Sequence, residues 1–495
     1  MSKLLADHIL GHSIRTPRAP ALLCGGATVT YAELAGLVRR AIPDPGTLEV
    51  AAAPIGLRAT KTPASIATVI AAHTVGRPVF LPSPELGGDA LAELSRRAGC
   101  AVPPAEADGA ASDHSGAPVP GPGPAAGLPA DTSFLLTTSG STGLPKLVPL
   151  GGGAVDRFTA WAAERFGIGP GTRVLSFAPL NFDLSLLDVW ATLRRGGCVV
   201  LVDPERAANP RYLASLLSDT RPHVVQAVPM FFRLLAEGAG PGDGFAGVRH
   251  VLLTGDHASR TLRRRVAEMF PDARFHNVYG CTETNDSMLY SCTGEEVAER
   301  EVLPLGRPLP GVRVSLRDGE DTVDGPGVGE LVVSTPFQAD GYLGQEAEGG
   351  RFFRTHSGAD ARTWFRTGDL VRRSPDGELT LVGRTDFQVK VAGVRINPEE
   401  VERVILSHRM VRDAAVVAVP DPLAGTRLCA LVRPHPGTSL TALKLLAHCS
   451  ARLVRPALPT VRVTQDPLPV GPTGKPDRSR IRDAFSSAPG TRPTP

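Results

Sequence analysis

Between Val174 and Gly280 short apolar runs recur about every 25 residues: VLSFAP from Val174, CVVLVD from Cys198, HVVQAVP from His223, VRHVLLTGD from Val248 and RFHNVYG from Arg274. Each has the length of a buried strand. The gaps hold segments whose apolar residues repeat near period 3.6, such as LSLLDVWATL (Leu184–Leu193) and SRTLRRRVAEMF (Ser259–Phe270), and these predict helices. Strand–helix alternation predicts a parallel, doubly wound sheet. In such a sheet ligands bind beyond the carboxyl ends of the strands. The polar residues of interest below follow strands directly.

After about Leu303 the texture becomes β-rich, with VRVSL and GELVVST alternating between Gly/Pro turns. From about Asp386 it changes again. A strand (FQVKVAGVRI), a helix (PEEVERVILSHR), two strands (AAVVAVP and LCALVRP) and a helix (SLTALKLLAHCSARLV) form an α+β unit of about 100 residues. The predicted fold class is therefore α/β. A large N-terminal domain of doubly wound sheets with a β-rich subdomain spans 1–385, a small mobile α+β domain spans 386–485, and 486–495 form a disordered tail. Val102–Asp131, rich in Pro, Ala and Gly, reads as a solvated surface loop.

Composition narrows the function classes. A chain of 495 residues, 42% hydrophobic, is too long for one compact domain. Its 53 basic and 50 acidic residues give a net charge of +3, which offers no electrostatic case for nucleic acid or membrane as main partner. The start, MSKLLADHIL, is too short and too acidic for a signal peptide, and no apolar run approaches a membrane span. Seven cysteines are scattered without a C-x-x-C pair, so disulfides and a zinc cluster are not expected and a reducing cytoplasm fits best.

The chemistry starts at TTSGSTGLPK, residues 137–146, just after the apolar run Phe134–Leu136. A phosphate chain needs many donors at close range and a backbone that can approach it. Glycines permit the approach, hydroxyls and N–H groups donate, and lysine adds a point charge. The stretch is not a P-loop NTPase motif, which needs G-x-x-x-x-G-K-[ST] opening straight into a helix, whereas here Pro145 precedes the lysine and VPL follows as a strand-like run. Alone, it could also be a Gly/Ser-rich surface turn.

It does not stand alone. NVYGCTET (Asn277–Thr284), FRTGDL (Phe365–Leu370), GRTDFQVKVAGVRINPEEVE (Gly383–Glu402) and GPTGKPDR (Gly471–Arg478) follow in order. With TTSGSTGLPK these resemble the motifs of the adenylate-forming superfamily: acyl-CoA synthetases, nonribosomal peptide adenylation domains and firefly luciferase. The resemblance runs from TVTYAELA near Thr28 to Arg478.

The resemblance implies a first step in which a substrate carboxylate attacks the α-phosphate of ATP, giving an acyl-adenylate and pyrophosphate, with Mg²⁺ as cofactor. Two anions meet there, so electrostatic stabilisation is the main need. Thr138, Ser139, Gly140, Ser141, Thr142, Gly143 and Lys146 are implied to cradle the β- and γ-phosphates. Glu283 is the implied Mg²⁺ ligand, its hard oxygen suited to a metal that also takes phosphate oxygens. Thr282 would contact the α-phosphate and Tyr279 flank the adenine, with Asn277 and Gly280 in the same nucleotide site. Asp369 would accept from both ribose hydroxyls, and Arg384 would reach the ribose or the phosphates. Lys475 is the implied catalytic lysine. The chain has six lysines, and Lys146, Lys390 and Lys475 fall at motif positions. A mobile point charge able to reach both the carboxylate and the α-phosphate suits lysine better than arginine. Thioester formation would follow rotation of the small domain about a hinge at Asp386, exchanging Lys475 for the strand holding Lys390 and Gly393. Where many relatives carry Arg before that glycine, this chain has Ala392.

In amino-acid-activating members an Asp follows Phe at NFDLSLLDVW, here Asp183. A carboxylate in an apolar pocket is costly unless paired, and a substrate ammonium would pair it; a helix N-cap is the other reading, and both can hold together. Further pocket positions transfer to Leu184, Leu187, Gln226, Leu252, Thr254, Gly255, Val278, Asp286 and Ser287. This mixed set fits a polar or small side chain better than a large aromatic one. Asp286 either pairs with a second ammonium or faces solvent. About 17 residues follow GKPDR, so the sequence is read as a free-standing activator of an α- or β-amino acid, whose acceptor is a phosphopantetheinyl carrier protein in trans or CoA. Leu147-Val148-Pro149, where most peptide-synthetase domains have Gly-Val, leaves an acyl- or aryl-CoA ligase as the alternative, and a non-catalytic protein that kept the fold as a third.

Overall fold

The computed structural model describes residues 2–42, 53–82, 86, 88–100, 102, 127–138, 146–240, 242, 244–344, 350–355, 361–385, 389–391, 394–396, 398–421, 425–450, 453, 457–471 and 474–486. The chain divides into two compact units, Met1–Val314 with Val332–Arg366, and Ser315–Leu331 with Thr367–Pro495. Most of the low-complexity stretch Val102–Asp131, the hinge position Asp386 and the tail from 487 lie outside the described residues.

The five apolar runs read from the sequence are strands of one sheet in the first unit. They lie side by side in the order Cys198–Leu201, Arg173–Ser176, Val224–Ala227, His250–Thr254 and Arg274–Cys281, all parallel. Pro20–Cys24 adds in parallel beside Cys198–Leu201. The sheet closes antiparallel at both edges, with Ala27–Thr30 on one side and Asn285–Cys292 then Arg307–Pro308 on the other. Strands buried on both faces explain the near-continuous apolar runs. Alternation then sends neighbours to different cores: Leu252 packs in one cluster with Leu187 and Val278, while Val251 and Leu253 pack in the other with Phe231 and Phe275. A second sheet of this unit carries Ile55–Gly56, Val79–Phe80, Thr132–Thr138 and Lys146–Gly151.

The helix predicted over Ser259–Phe270 is Arg260–Met269, capped by the Ser259 hydroxyl, which accepts from Leu262 N–H. The one predicted over Leu184–Leu193 is a π-helix, Leu186–Ala191, running into Thr192–Arg194. Periodicity near 3.6 cannot distinguish a single wide turn, which is a frequent feature of functional sites. The helical run starts at Ser185.

The β-rich texture after Leu303 corresponds to Arg313–Asp318, Gly327–Ser334 and Arg362–Arg373, the three strands in which the chain passes from one unit to the other. In the second unit, FQVKVAGVRI reads as one strand but forms a hairpin, Val389–Val391 against Val394–Ile396; Ala392 and Gly393 between them lie outside the described residues. Val411–Asp421 and Gly425–Pro434 pair antiparallel, with Thr460–Val463 in parallel beyond. Val401 and Ile405 of the helix Pro398–Leu406 pack with Val416, Leu428, Ala430 and Leu445. All seven cysteines are free thiols. Among the described residues no helix is long and apolar enough to cross a membrane.

Candidate active site

Thr138 and Lys146 are register partners at the open end of the hairpin Thr132–Thr138 and Lys146–Gly151. The glycine–hydroxyl segment therefore leaves and re-enters the sheet at one point. Ser139, Gly140, Ser141, Thr142 and Gly143 themselves lie outside the described residues.

The NVYGCTET motif forms the end of the strand Arg274–Cys281 and the turn into Asn285–Cys292. Thr284 N–H donates to the Cys281 carbonyl, and Asn285 takes a left-handed φ of 54°. A bulge after Tyr279 sets Gly280 opposite Asp286. The chains approach so closely there that a Cβ on Gly280 would lie 2.3 Å from the Asn285 carbonyl oxygen, so only glycine fits. Asn277 donates from its amide to the Pro304 carbonyl at 2.7 Å. The turn is laced to a later segment: Thr335 Oγ1 donates to the Thr284 carbonyl, Asn285 Nδ2 to the Phe337 carbonyl and Ala339 N–H to the Glu283 carbonyl.

That segment brings in a residue the sequence did not single out. The Tyr342 hydroxyl donates to Glu283 Oε1 at 2.6 Å, and Lys146 Nζ lies 4.6 Å from the Tyr342 ring centroid. One side chain thus touches both the loop lysine and the motif glutamate. Burial and the Glu283 charge push the Tyr342 hydroxyl's pKa upward, which keeps it a donor. Among the described residues no group of three or more His, Cys, Asp or Glu is gathered for a metal. Glu283 alone fits an ion that takes its remaining ligands from phosphate oxygens and water, as Mg²⁺ does.

At the carboxyl ends of the parallel strands, register sets Gln226 beside Leu252 and Thr254 beside Val278. Leu187 packs in the same cluster as Leu252 and Val278. Asp183, 9% exposed, precedes the helical run, and its carbonyl accepts from Leu186 N–H. Gln226 Nε2 donates to the Leu184 carbonyl and to Asp188 Oδ1. Thr254 is buried, and Gly255 has a φ of 78°. The Ser287 hydroxyl is used within the hairpin, on Thr284 Oγ1 and the Asn285 carbonyl. Asp286 does not face solvent: it is 9% exposed, and burial followed by the Asp183 charge pushes its pKa up to about 8.

Two charged residues missed from the sequence sit in this interior. Lys61, 5% exposed, donates to the Ser176 and Phe177 carbonyls, both at 2.7 Å. Asp188 is wholly buried, with Oδ2 unpartnered. Burial drives Lys61 down to about 7 and Asp188 well up, and each charge partly offsets the shift of the other. Both left a signal in the sequence: Lys61 is one of six lysines, and Asp188 interrupts the apolar LSLLDVWATL.

In the second unit, Asp369 and Arg384 are register partners on adjacent strands and form an ion pair at 2.5 Å. Arg384 also donates to the Thr367 carbonyl, and the Thr367 hydroxyl accepts from Asp369 N–H. Gly368 between them has a φ of 73°. Lys475 is exposed on a turn closed by Gly471 N–H on the Lys475 carbonyl at 2.8 Å. Arg478, three residues on, fixes that turn to the helix Pro398–Leu406 by donating to Glu402 and to the Val416 carbonyl. Lys390 lies on the hairpin strand Val389–Val391, opposite Arg395.

Comparison with known proteins adds the following. The family model for the AMP-binding enzyme matches residues 12–343, and that for the AMP-binding enzyme C-terminal domain matches 400–475. An L-proline–[L-prolyl-carrier protein] ligase of Pseudomonas fluorescens is 34% identical over 358 residues, covering 71% of this chain and 68% of that one. Phenyloxazoline synthase MbtB of a Mycobacterium species is 33% identical over 500 residues, 96% of this chain, which spans 42% of that protein's length. Among solved structures, the amide bond synthetase McbA of Marinactinospora thermotolerans superposes with a TM-score of 0.75 at 26% identity, covering 98% of this chain and 100% of that one.

Proposed function

This chain belongs to the AMP-binding enzyme family, and from that premise we propose that it activates an amino acid as its aminoacyl-adenylate at the expense of ATP and passes it to the phosphopantetheine thiol of a carrier protein, in natural-product biosynthesis. The observation that carries the amino-acid reading is Asp183, which is 9% exposed and near enough to the buried Asp286 for its charge to raise the pKa of that acid. A substrate ammonium adds the positive charge that two neighbouring buried carboxylates favour. The named relatives support the same reading, since one loads L-proline onto a carrier protein.

The substrate carboxylate attacks the α-phosphorus, the bond to the bridging oxygen breaks, and pyrophosphate leaves with both bonding electrons. Lys475 is assigned to hold the two anions together. Lys146 is assigned to the terminal phosphates, Asp369 and Arg384 to the ribose, and Lys390 and Asp386 to the second step. Glu283 would hold Mg²⁺, whose charge neutralises the phosphate oxygens. Tyr342 orients Glu283 by its hydroxyl and Lys146 by its ring.

ATP–pyrophosphate exchange over α-amino, β-amino, aryl and fatty acids tests the reading. The expected result is exchange with an amino acid that falls roughly 10²-fold in Asp183→Ala, because a buried charge is left unpaired on the substrate. Exchange with an acid lacking an amine, unchanged in the variant, overturns it in favour of an acyl or aryl ligase. Holo-carrier and CoA offered together then identify the acceptor.

Tyr342→Phe keeps the ring under Lys146 and removes only the hydroxyl. Its loss should lower the rate at limiting Mg²⁺ roughly tenfold, the worth of a hydrogen bond to a charged group, with recovery at high Mg²⁺. An unaltered Mg²⁺ titration would show that Tyr342 does not position Glu283.

A further inference from the structure

Lys475 and the ribose-assigned pair Asp369 and Arg384 belong to the same unit. The α-phosphorus that Lys475 has to reach is bonded to the ribose 5′-oxygen. A lysine held at a set distance from the ribose pair is therefore a lysine held at the α-phosphate. Apolar packing secures the Lys475 turn on one side only. Leu468 before the turn and Ile481 and Phe485 after it are buried with Ala415, Val417 and Val419 on one face of the strand Val411–Asp421. Val401 and Ile405 of the helix Pro398–Leu406 pack with Val416, on the opposite face of that strand. Burial of this kind is non-directional and does not tie the turn to the helix across the sheet.

Arg478 makes that tie. It opens the helix Arg478–Ser486, and its guanidinium donates to Glu402 Oε2 at 2.9 Å and to the Val416 carbonyl at 2.6 Å. Val416 N–H donates to the same Glu402 oxygen at 2.9 Å. Val411–Asp421 is the edge strand of its sheet, so Arg478 and Glu402 take up backbone groups on its unpaired side. The three residues close a ring of charge-assisted hydrogen bonds, which fixes direction as well as distance. The other arm of Arg478 faces Glu399 Oε1 at 3.9 Å. The Glu399 carboxyl in turn feels the charges of Arg384 and Asp369. One glutamate thus stands between the anchor of the Lys475 turn and the ribose pair.

Resting on the adenylation reading above, we infer that Arg478 is a positioning residue of the first step: through Glu402, Val416 and Glu399 it sets the Lys475 ammonium against the α-phosphate of a nucleotide whose ribose is held by Asp369 and Arg384. Arg478 itself touches neither substrate. Its whole contribution to rate passes through Lys475, and that is what separates it from a residue that merely holds the fold.

The experiment is a double-mutant cycle. Single-turnover adenylate formation, with ATP and the carboxylic acid that supports the best exchange, is measured for Arg478→Met and Glu402→Gln, each with Lys475 present and in Lys475→Ala. With Lys475 present both variants should lose roughly 10–10²-fold in kcat, the scale of a misplaced catalytic group, while KM for ATP stays near the parent value because the ribose pair is intact. Arg478→Lys, which keeps a donor, should recover part of the loss. In Lys475→Ala neither variant should cost anything further, because the group they displace is already gone. Glu402→Gln keeps an acceptor for Val416 N–H, so it carries the test should Arg478→Met fold poorly in a melting scan. Equal losses with and without Lys475 would show a structural role and overturn the inference, as would parent-like rates in both variants. A parent enzyme that exchanges with no carboxylic acid overturns the adenylation reading, and this inference with it.

Discussion

Lys475→Ala is expected to cut adenylate formation roughly 10²–10³-fold, the scale on which a group aimed at transition-state charge acts, while its melting temperature stays within about 2 °C of the parent. The two halves of that expectation come from one piece of geometry. The lysine sits exposed on a turn made by backbone, with Gly474 at φ 74° and the Gly471 N–H on the Lys475 carbonyl. Its ammonium makes no hydrogen bond or ion pair among the described residues. Arg478, not Lys475, ties the turn to the helix through Glu402. Truncation therefore removes nothing that holds the unit together. In chemistry the loss is large, because a carboxylate and a phosphate must approach each other and only a cation at the junction relieves their repulsion. Lys475→Arg should recover a small part, since the planar fork is a poor copy of a mobile point charge. Single-turnover formation of the adenylate, with intact ATP quantified, reads the step directly. Adenylation near the parent rate would remove Lys475 from the mechanism.

Sequence pattern reached the large features and stopped at those made by distant contact. The five parallel strands were legible because each is buried on both faces, which leaves an apolar run with few alternatives. The helix Arg260–Met269 was legible through its 3.6 period, and the structure adds its Ser259 cap. The π-turn at Leu186–Ala191 was not, because one wide turn leaves the apolar spacing unchanged. The hairpin at Val389–Ile396 was read as a single strand because its two arms are three residues each and share one pattern, a basic residue between two apolar ones. Motif residues such as Glu283 and Asp369 could be named from their neighbours in sequence. Tyr342 could not: it lies 59 residues from Glu283, and nothing in its own surroundings announces the contact. Asp286 could not be told from a solvated acid by its neighbours in sequence, and its burial removes that alternative. Lys61 and Asp188 acquire meaning from each other, across segments that no local pattern connects.

That last pair carries the largest expected effect on stability. Lys61→Met removes the donor to the Ser176 and Phe177 carbonyls and, among the described residues, the cation that offsets Asp188. Removing one partner of a buried charged pair costs about 3–5 kcal/mol, because the other is left uncompensated. In a chain of 495 residues that lowers the melting temperature by about 3–5 °C. Asp188→Asn added to Lys61→Met should restore much of the loss, since taking out both charges together is often near neutral. A pH series provides an independent check with a definite sign. Burial holds the Lys61 amine at about 7, against about 10.4 in an unfolded chain. Between those values the unfolded state binds the proton and the native state does not, so this residue's contribution is smallest below pH 7 and grows as pH rises toward about 10. The parent should therefore gain stability over Lys61→Met across that window, read by denaturant titration at several pH values. A gap that stays flat with pH, or a double variant less stable than Lys61→Met alone, would show that Lys61 and Asp188 do not form the coupled pair described here.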